Sequence, residues 1–202
     1  DSWLYGFNTA LYLRDQWTRD TQLAMGWPAS HGRFVHLYVD GLYWGVYNII
    51  ERLDDNYAVS YFGGEKEDYD IIKGLWPEVV EIDTGNDLAW NAMMDLASAG
   101  LASDAQYSAI QQYLDVPGLI DYMIGHIYAG TRAEWPWQNW TAIRKREPGA
   151  VFKFFFWDTE FALEDVNEDI VEIGEDAFNS PAFLYARLRD NAEFRLLFAD
   201  HL

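Results

Sequence analysis

The chain has 202 residues, enough for one domain of ordinary size, and half of them are apolar. Its net charge of −19 argues against a nucleic-acid partner, because phosphate backbones need clustered Lys and Arg, and equally against docking on anionic membranes. Without Cys there are no disulfides or thiolate zinc sites, and no apolar run is long enough to span a membrane.

The first third of the chain is predicted to be rich in β-structure. The dipeptide Asp40-Gly41 favours a type I′ turn, and β-branched and aromatic residues flank it on both sides. Before it, apolar residues recur among polar ones as in a helix. The predicted elements are a helix over 9–25, strands over 33–39 and 42–52, and a third strand over 68–76.

The rest of the chain is predicted to be mainly helical, apart from one hairpin. Ser103 and Gln106 form a capping-box pair, and Asp115 with Pro117 is typical of a helix start. The predicted elements are helices over about 87–99, from Ser103 and from Asp115, a hairpin over 141–157, an acidic loop over 163–176, and one or two closing helices from Pro181. This order predicts an α+β fold, with a β-rich N-terminal part and a helical C-terminal part.

Acidic and amide side chains flank the predicted hairpin. Asn139 precedes its first strand and Asp158 follows its second, so the hairpin should bring the two together. Glu160 lies two residues after Asp158 and would project to the same side on extended backbone. With Glu134 nearby, these hard oxygen ligands suit Mg²⁺, Mn²⁺ or Ca²⁺.

Three interpretations fit this group of side chains. Phosphoryl transfer needs an acid that orients the hydroxyl nucleophile and an Asn and an Asp that hold the metal ions, and Glu134, Asn139 and Asp158 follow the order and spacing of protein kinases. Two carboxylates beside Trp residues would also suit glycoside cleavage. In the third interpretation the residues carry no chemistry: Asn139 caps a turn, Glu134 is solvated and Asp158 caps the segment that follows.

The chain resembles the spore-coat protein H (CotH) kinase family. The resemblance rests on "HLYVDGLYWGVYNIIERLDDNYAVSYFG", "DYDIIKG", "AEWPWQNW" and "FFFWDTE", which occur in the family's order. It covers nearly the whole chain and is greatest with the secreted multidomain members. It implies an atypical protein-kinase-like, two-lobed fold, divided at about 1–80 and about 81–202, and we expect the chain to be the core of a longer protein with further domains.

The resemblance also implies an activity and a site. The cofactors would be ATP and Mg²⁺ or Mn²⁺, and the reaction would phosphorylate Ser or Thr hydroxyls of protein substrates, outside the cell or at its surface. Asp158 and Asn139 would be the metal ligands, with Glu160 helping. Lys73 would bind phosphate, and Glu51 would orient that lysine or a metal.

One residue departs from the family's pattern. The loop acid, usually Asp before Trp-Pro, is Glu134 here. The extra methylene displaces the carboxylate by more than a bond length, and misplacement on that scale can cost orders of magnitude in rate. Glu134 therefore indicates either a base in a relaxed geometry or a weak or inactive kinase. The alternative function is a non-catalytic module for surface adhesion or carbohydrate-associated binding.

Four further features have simpler interpretations. In the simpler interpretation, Lys73 lies on an edge strand and its charge only prevents that strand from pairing with other chains. His126 precedes the loop by too many residues to belong to it and is expected to be a core or surface histidine. In the acidic loop, "DVNED" alternates like the start of a calcium loop, but Ile170 stands where Gly is needed, so we expect a solvated loop. The tryptophans that crowd the predicted site are expected to pack: Trp135, Trp137, Trp140 and Trp157.

Overall fold

A computed structural model describes residues 11–75, 79–131 and 135–202. Its helices are α1 (Arg14–Ala24), α2 (Asp55–Phe62), α3 (Leu88–Ala99), α4 (Asp104–Ile110), α5 (Val116–Ala129), α6 (Pro181–Leu188) and α7 (Ala192–His201). Its strands are β1 (Gly32–Val39), β2 (Leu42–Ile50), β3 (Tyr69–Leu75), β4 (Val79–Thr84), β5 (Trp140–Lys145) and β6 (Lys153–Phe156). Within these ranges, every helix is too short or too polar to cross a bilayer.

The first hairpin forms as the sequence predicts. Strands β1 and β2 are antiparallel, and Val39 lies opposite Leu42. The turn residues Asp40 and Gly41 have φ values of 49° and 80°, the left-handed conformation that a type I′ turn requires. The hairpin forms a two-stranded sheet of its own and leaves large apolar side chains exposed, Trp44 among them.

A four-stranded antiparallel sheet, ordered β4-β3-β5-β6, joins the two parts of the chain. Strand β3 pairs with β5, so that Gly74 lies opposite Trp140. The sequence did not predict β4, whose stretch "VVEIDT" is short and partly acidic. The α+β class is confirmed. The predicted boundary near residue 80 falls inside β4.

Helices cover the two faces of this sheet unequally. On one face, the buried side chains of the sheet pack against α3, α5, α6 and α7 in the main core; they are Ile72, Trp140, Ala142, Phe154 and Phe156. The opposite face carries a smaller core of Tyr69, Ile71, Ile143 and Phe155, which is covered by Tyr57 and Ala58 of α2. Because side chains alternate along a strand, Lys73 and Thr141 continue this second face beyond the reach of α2.

The predicted starts of α4 and α5 are confirmed, whereas α1 begins at Arg14 and not at the predicted residue 9, which lies outside the described residues. Ser103 and Gln106 form the capping box of α4, and the Asp115 carboxylate accepts a hydrogen bond from the amide of Gly118 (3.1 Å) at the start of α5. Two closing helices, α6 and α7, follow the acidic loop. Helix α2 was not predicted. It begins at Asp54, whose carboxylate accepts from the amide of Asn56 (2.9 Å), as an N-cap should.

Candidate active site

A cavity of about 280 Å³ lies over the part of the sheet that α2 leaves uncovered. The residues that line it are Ile50, Arg52, Leu53, Lys73, Leu75, Glu81, Asp83, Trp140, Thr141 and Trp157. Apolar and aromatic walls thus surround a few polar groups, as in typical ligand pockets. The lining includes two cations and two carboxylates.

Lys73 enters this cavity from β3, where it lies opposite Thr141 of β5 and Glu81 of β4. Its Nζ is 2.8 Å from Oδ1 of Asp83, and the lysine side chain is 11% exposed. Asp83 reaches it where the register between β3 and β4 shifts. An edge-strand role for Lys73 is wrong, because strands flank β3 on both sides. Lys73 is instead a largely buried cation in a cavity.

Glu51 is held by another part of the molecule. Its carboxylate accepts hydrogen bonds from the amide of His31 (2.9 Å) and the hydroxyl of Tyr61 (2.6 Å). Burial raises the pKa of Glu51, but the hydrogen bonds from Tyr61 and His31 outweigh it and hold the pKa below its usual value. In this structure the ion-pair partner of Lys73 is therefore Asp83, and Glu51 is hydrogen-bonded to His31 and Tyr61. The backbone of Glu51 extends the β1–β2 ladder, because its amide donates to the carbonyl of His31 (3.0 Å). Its side chain is hydrogen-bonded beside that ladder, to His31 and Tyr61.

Asn139 and Asp158 meet at the open end of the second hairpin, opposite its turn. The side-chain amide of Asn139 donates to the backbone carbonyl of Asp158 across 3.3 Å. The amide of Asn139 also donates to the carbonyl of Gly74 (2.9 Å), the residue after Lys73. Both Asn139 and Asp158 have left-handed backbone, with φ values of 62° and 54°. Each adjoins a tryptophan that lines the cavity, Trp140 and Trp157 respectively.

The segment after Asp158 does not have the extended backbone that the sequence argument assumed. Asp158 is exposed and left-handed, Thr159 is buried, and Glu160 is half-buried. The backbone carbonyl of Glu160 accepts a hydrogen bond from Arg14 of α1 (3.3 Å). Simple alternation therefore does not place the carboxylates of Asp158 and Glu160 on one side, although both flank the same buried threonine.

The predicted base, Glu134, lies outside the described residues, so the structure gives no distance from it to Asn139 or Asp158. Within the described ranges, no three Asp, Glu or His side chains gather closely enough to hold a metal ion by themselves. Asn139 and Asp158 supply one amide and one carboxylate. A metal held there would need further oxygen ligands, from elsewhere in the chain or from a nucleotide.

Helix α5 holds both flanks of the loop that carries Glu134. His126 contacts the hydroxyl of Thr131 through Nδ1, and its ring stacks on Trp135 with centroids 3.9 Å apart. The indole of Trp135 donates to the hydroxyl of Tyr122 (2.9 Å). Complete burial holds the pKa of His126 well below its usual value, so it is neutral. His126 is thus a core histidine, as predicted, and it also packs beside the loop.

The tryptophans divide between core and cavity. Trp135 and Trp140 are buried, and Trp140 stacks on Trp90 with centroids 5.3 Å apart. Trp137 and Trp157 are half-buried, and Trp157 lines the cavity together with an edge of Trp140. Packing is therefore the main role of this cluster, as expected. Trp157 differs, because it is half-buried and lines the cavity.

The acidic loop contains local turns rather than a calcium loop. The carboxylate of Asp165 accepts from the amide of Asn167 (2.9 Å), and that of Asp169 accepts from the amide of Val171 (3.0 Å). Each is an Asx turn, in which a side chain satisfies the backbone two residues further on. Most of these side chains are exposed, in agreement with the predicted solvated loop.

The cavity lining fits a nucleotide that carries a divalent metal. Lys73 and Arg52 are cations that could bind phosphate oxygens. Glu81 and Asp83 would repel a bare polyphosphate unless a metal ion balanced the charge. Trp157 supplies an aromatic surface suited to a base. We regard these residues, with Asn139 and Asp158 at the adjoining hairpin end, as the candidate active site.

Sequence reasoning missed Asp83, Glu81 and Arg52 in this site. The first two lie on β4, and without that strand nothing linked them to Lys73. Their spacing was a usable signal, because residues two apart on a strand face the same side. Arg52 follows β2 directly, next to Glu51, and only its position in the cavity distinguishes it from a surface arginine.

Comparison with protein families places the chain in one of them. The family model described as "CotH kinase protein" matches residues 6–202, which is nearly the whole chain. No curated protein matches the chain significantly. The matched range includes every residue of the candidate site.

Proposed function

Because the chain belongs to the CotH kinase family, we propose that it is an atypical protein kinase that depends on ATP and Mg²⁺ or Mn²⁺. Its acceptors would be Ser or Thr hydroxyls of proteins outside the cytoplasm or at the cell surface. The observation that carries the proposal is the meeting of Asn139 and Asp158 beside the cavity that contains Lys73.

The charges of the cavity support a role for Lys73 and Arg52 in binding phosphate. Lys73 is already paired with Asp83 at 2.8 Å, which holds its ammonium group in place in a largely buried position. A fixed cation at low solvent exposure interacts more strongly with phosphate than a mobile surface lysine, because water screens it less. Asp83 would in this way act as the acid that orients the lysine, the role first expected of Glu51.

Asn139 and Asp158 would hold the metal ion through their side-chain oxygens, with Glu160 as a further candidate ligand. When bound, the metal neutralises phosphate charge. Glu134 would orient the acceptor hydroxyl and take up its proton. The protein would therefore act mainly by positioning and by electrostatic stabilisation, which is where most of the catalysis in phosphoryl transfer arises.

A catalytically weak or inactive module is the second candidate, and Glu134 favours it. A longer acid in the loop would leave nucleotide binding intact while it impairs transfer. Such a module would bind at a surface or to carbohydrate. The two candidates thus agree on the nucleotide cavity and differ in the rate of transfer.

A thermal-shift titration tests nucleotide binding. A ligand that binds only the folded state stabilises it by about 2.7 kcal/mol at a hundredfold excess over Kd. We expect ATP with Mn²⁺ or Mg²⁺ to raise the melting temperature of the wild type and of Asp200→Asn, a matched change at an exposed site on α7. The Asp158→Asn variant should show little shift. No shift at millimolar nucleotide, or an equal shift in Asp158→Asn, would contradict the proposal.

Transfer of labelled phosphate from ATP then separates the two candidates. If Glu134→Asp gains activity over the wild type, the chain is a weakened kinase. If Glu134→Gln keeps the wild-type rate, Glu134 is not the base. Binding of nucleotide without transfer in either protein favours the non-catalytic module.

A further inference from the structure

Helix α1 presents a polar face to the protein interior. Its buried residues are Gln16, Thr18, Arg19 and Gln22, whereas Leu13 and Trp17 are exposed. This reverses the usual arrangement, in which a helix buries its apolar stripe. The polar face packs against β6, the edge strand of the four-stranded sheet, and against the residues that follow it.

Gln22 occupies the open edge of β6. Its side-chain amide donates to the carbonyl of Phe154 (2.7 Å), and its side-chain oxygen accepts from the amide of Phe156 (3.2 Å). One side chain therefore takes the place of a neighbouring strand and satisfies an edge that would otherwise remain open. This contact lies before the predicted metal-binding segment and does not reach it.

Asp15 makes the corresponding contact after the strand ends. Its Oδ1 accepts from the backbone amide of Thr159 (3.1 Å) and from the hydroxyl of the same residue (3.3 Å). Thr159 is buried and lies between Asp158 and Glu160. Asp15 thus holds the one residue that joins the two predicted metal ligands.

Asp15 is itself fixed by a buried arginine. Its Oδ2 is 2.8 Å from Nη2 of Arg19, whose side chain is 1% exposed. The Nε of Arg19 donates to the backbone carbonyl of Asp15 (3.1 Å), and its buried Nη1 has no hydrogen-bond partner among the described residues. Asp15 is the carboxylate paired with this guanidinium, so the pair has little freedom to rearrange.

We infer that Asp15 is a positioning residue for the metal-binding segment Asp158–Glu160, an inference that rests on the proposed function. Asp158 keeps a left-handed backbone, with φ of 54°. Such a conformation persists only where the surroundings fix it. The hydrogen bond from the amide of Thr159, the next residue, to Asp15 helps to fix the backbone of Asp158 in this conformation. Arg19 orients Asp15, Asp15 holds Thr159, and Thr159 sets the direction of the Asp158 carboxylate.

The Kd for Mn²⁺ tests this inference, measured from the electron paramagnetic resonance signal of free Mn²⁺ with a non-hydrolysable ATP analogue, after correction for the Mn²⁺ that the analogue binds in a protein-free titration. Loss of a residue that orients a metal ligand typically weakens metal binding by about 10- to 100-fold. We expect such a loss for Asp15→Ala. Asp15→Asn keeps an oxygen acceptor for the amide of Thr159 but loses the ion pair with Arg19, so it should recover part of the affinity and bind Mn²⁺ more tightly than Asp15→Ala.

Gln22→Ala is the matched control. Like Asp15→Ala, it removes buried hydrogen bonds between the polar face of α1 and the chain at β6. The bonds that it removes, however, go to Phe154 and Phe156 instead of Thr159. It should lower the melting temperature and leave the Kd for Mn²⁺ within about twofold of wild type. If Asp15→Ala does not fold, Arg19→Gln tests the same link, because it releases Oδ2 of Asp15. An intermediate weakening of Mn²⁺ binding is then expected, and an unchanged Kd would overturn the inference.

The remaining outcomes separate this inference from the proposed function. If Asp158→Asn abolishes Mn²⁺ binding while Asp15→Ala behaves like Gln22→Ala, the site stands and Asp15 is only structural. If Asp15→Asn is as impaired as Asp15→Ala, the acceptor for Thr159 is not what matters, and the inference fails. If the wild type does not bind Mn²⁺ with nucleotide, or Asp158→Asn binds it equally well, the proposed site fails and the inference with it.

Discussion

The side-chain amide of Asn139 lies 3.3 Å from the backbone carbonyl of Asp158, nineteen positions further along the chain. The two residues mark the two ends of the hairpin β5–β6, and both have left-handed backbone. Left-handed backbone at a residue other than Gly is uncommon and concentrates at functional sites. This pair therefore makes the open end of the hairpin, opposite its turn, a place to test for chemistry.

Replacing Asp158 should separate stability from activity. Asn tolerates left-handed backbone as Asp does, so Asp158→Asn should change the free energy of unfolding by no more than about 0.5 kcal/mol. Phosphate transfer should fall by roughly 10²-fold or more, because a charged ligand is lost. Asp158→Ala, which lacks that tolerance, should cost about 1–2 kcal/mol. Urea unfolding and a transfer assay check both values. A fully active Asp158→Asn would remove this residue from the site.

Lys73→Met should abolish the stabilisation by nucleotide. The substitution also leaves Asp83 without its partner in a site where the carboxylate is only 17% exposed, so we expect a loss of about 1–3 kcal/mol in the absence of ligand. Adding Asp83→Asn should restore much of that stability without restoring nucleotide binding. Lys66→Met is the control, since Lys66 pairs with Asp55 at the surface and should contribute less than about 1 kcal/mol. A normal nucleotide shift in Lys73→Met would contradict the assignment.

Gly74→Ala should disturb the site by displacing Trp140, which lines the cavity. A Cβ at this position would lie 2.3 Å from Nε1 of Trp140, so the indole must move, and overpacking of this kind costs about 1–3 kcal/mol. The exciton-coupled circular dichroism of the stacked pair Trp90–Trp140 reports that movement. Gly149→Ala, where a Cβ would meet open space although φ of 82° strains the backbone, should lower stability but leave the signal intact. An unchanged signal in Gly74→Ala would mean that the added methyl group is accommodated without moving Trp140, contrary to what the packing indicates.

Burial of neutral His126 should make stability fall with acidity. The unfolded chain binds a proton at this side chain below pH 6.5, whereas the folded protein, with a pKa well below that value, does not. The contribution is therefore complete above pH 6.5 and decreases by up to about 1.4 kcal/mol per pH unit below it, until the pH reaches the folded pKa. Urea midpoints of the wild type and His126→Phe, compared between about pH 7.5 and 5.5, test this. Equal slopes for the two proteins would show that His126 is protonated in the folded state.

Local signals in the sequence predicted most of the fold. Asp40-Gly41 fixed the first hairpin, and Ser103 with Gln106 fixed the start of α4, because turns and caps depend on residues close in sequence. The meeting of Asn139 with Asp158 was predictable for the same reason, since a hairpin brings its own ends together.

Two other features of the site were not predictable in this way. Asp83 became the partner of Lys73 only because β4 pairs with β3, and the polar character of "VVEIDT" concealed that strand. The buried polar face of α1 escaped prediction because helix patterns assume that polar residues face water. Asp15 and Gln22 violate that pattern because the backbone of an edge strand offers them hydrogen bonds.

The most direct test is a crystal structure with Mn²⁺ and a non-hydrolysable ATP analogue, in which anomalous scattering locates the metal. We expect a manganese peak within bonding distance of side-chain oxygens of Asn139 and Asp158, with the phosphates of the analogue beside Nζ of Lys73. A peak held by other residues, or an analogue bound away from the Lys73 cavity, would contradict the proposed site.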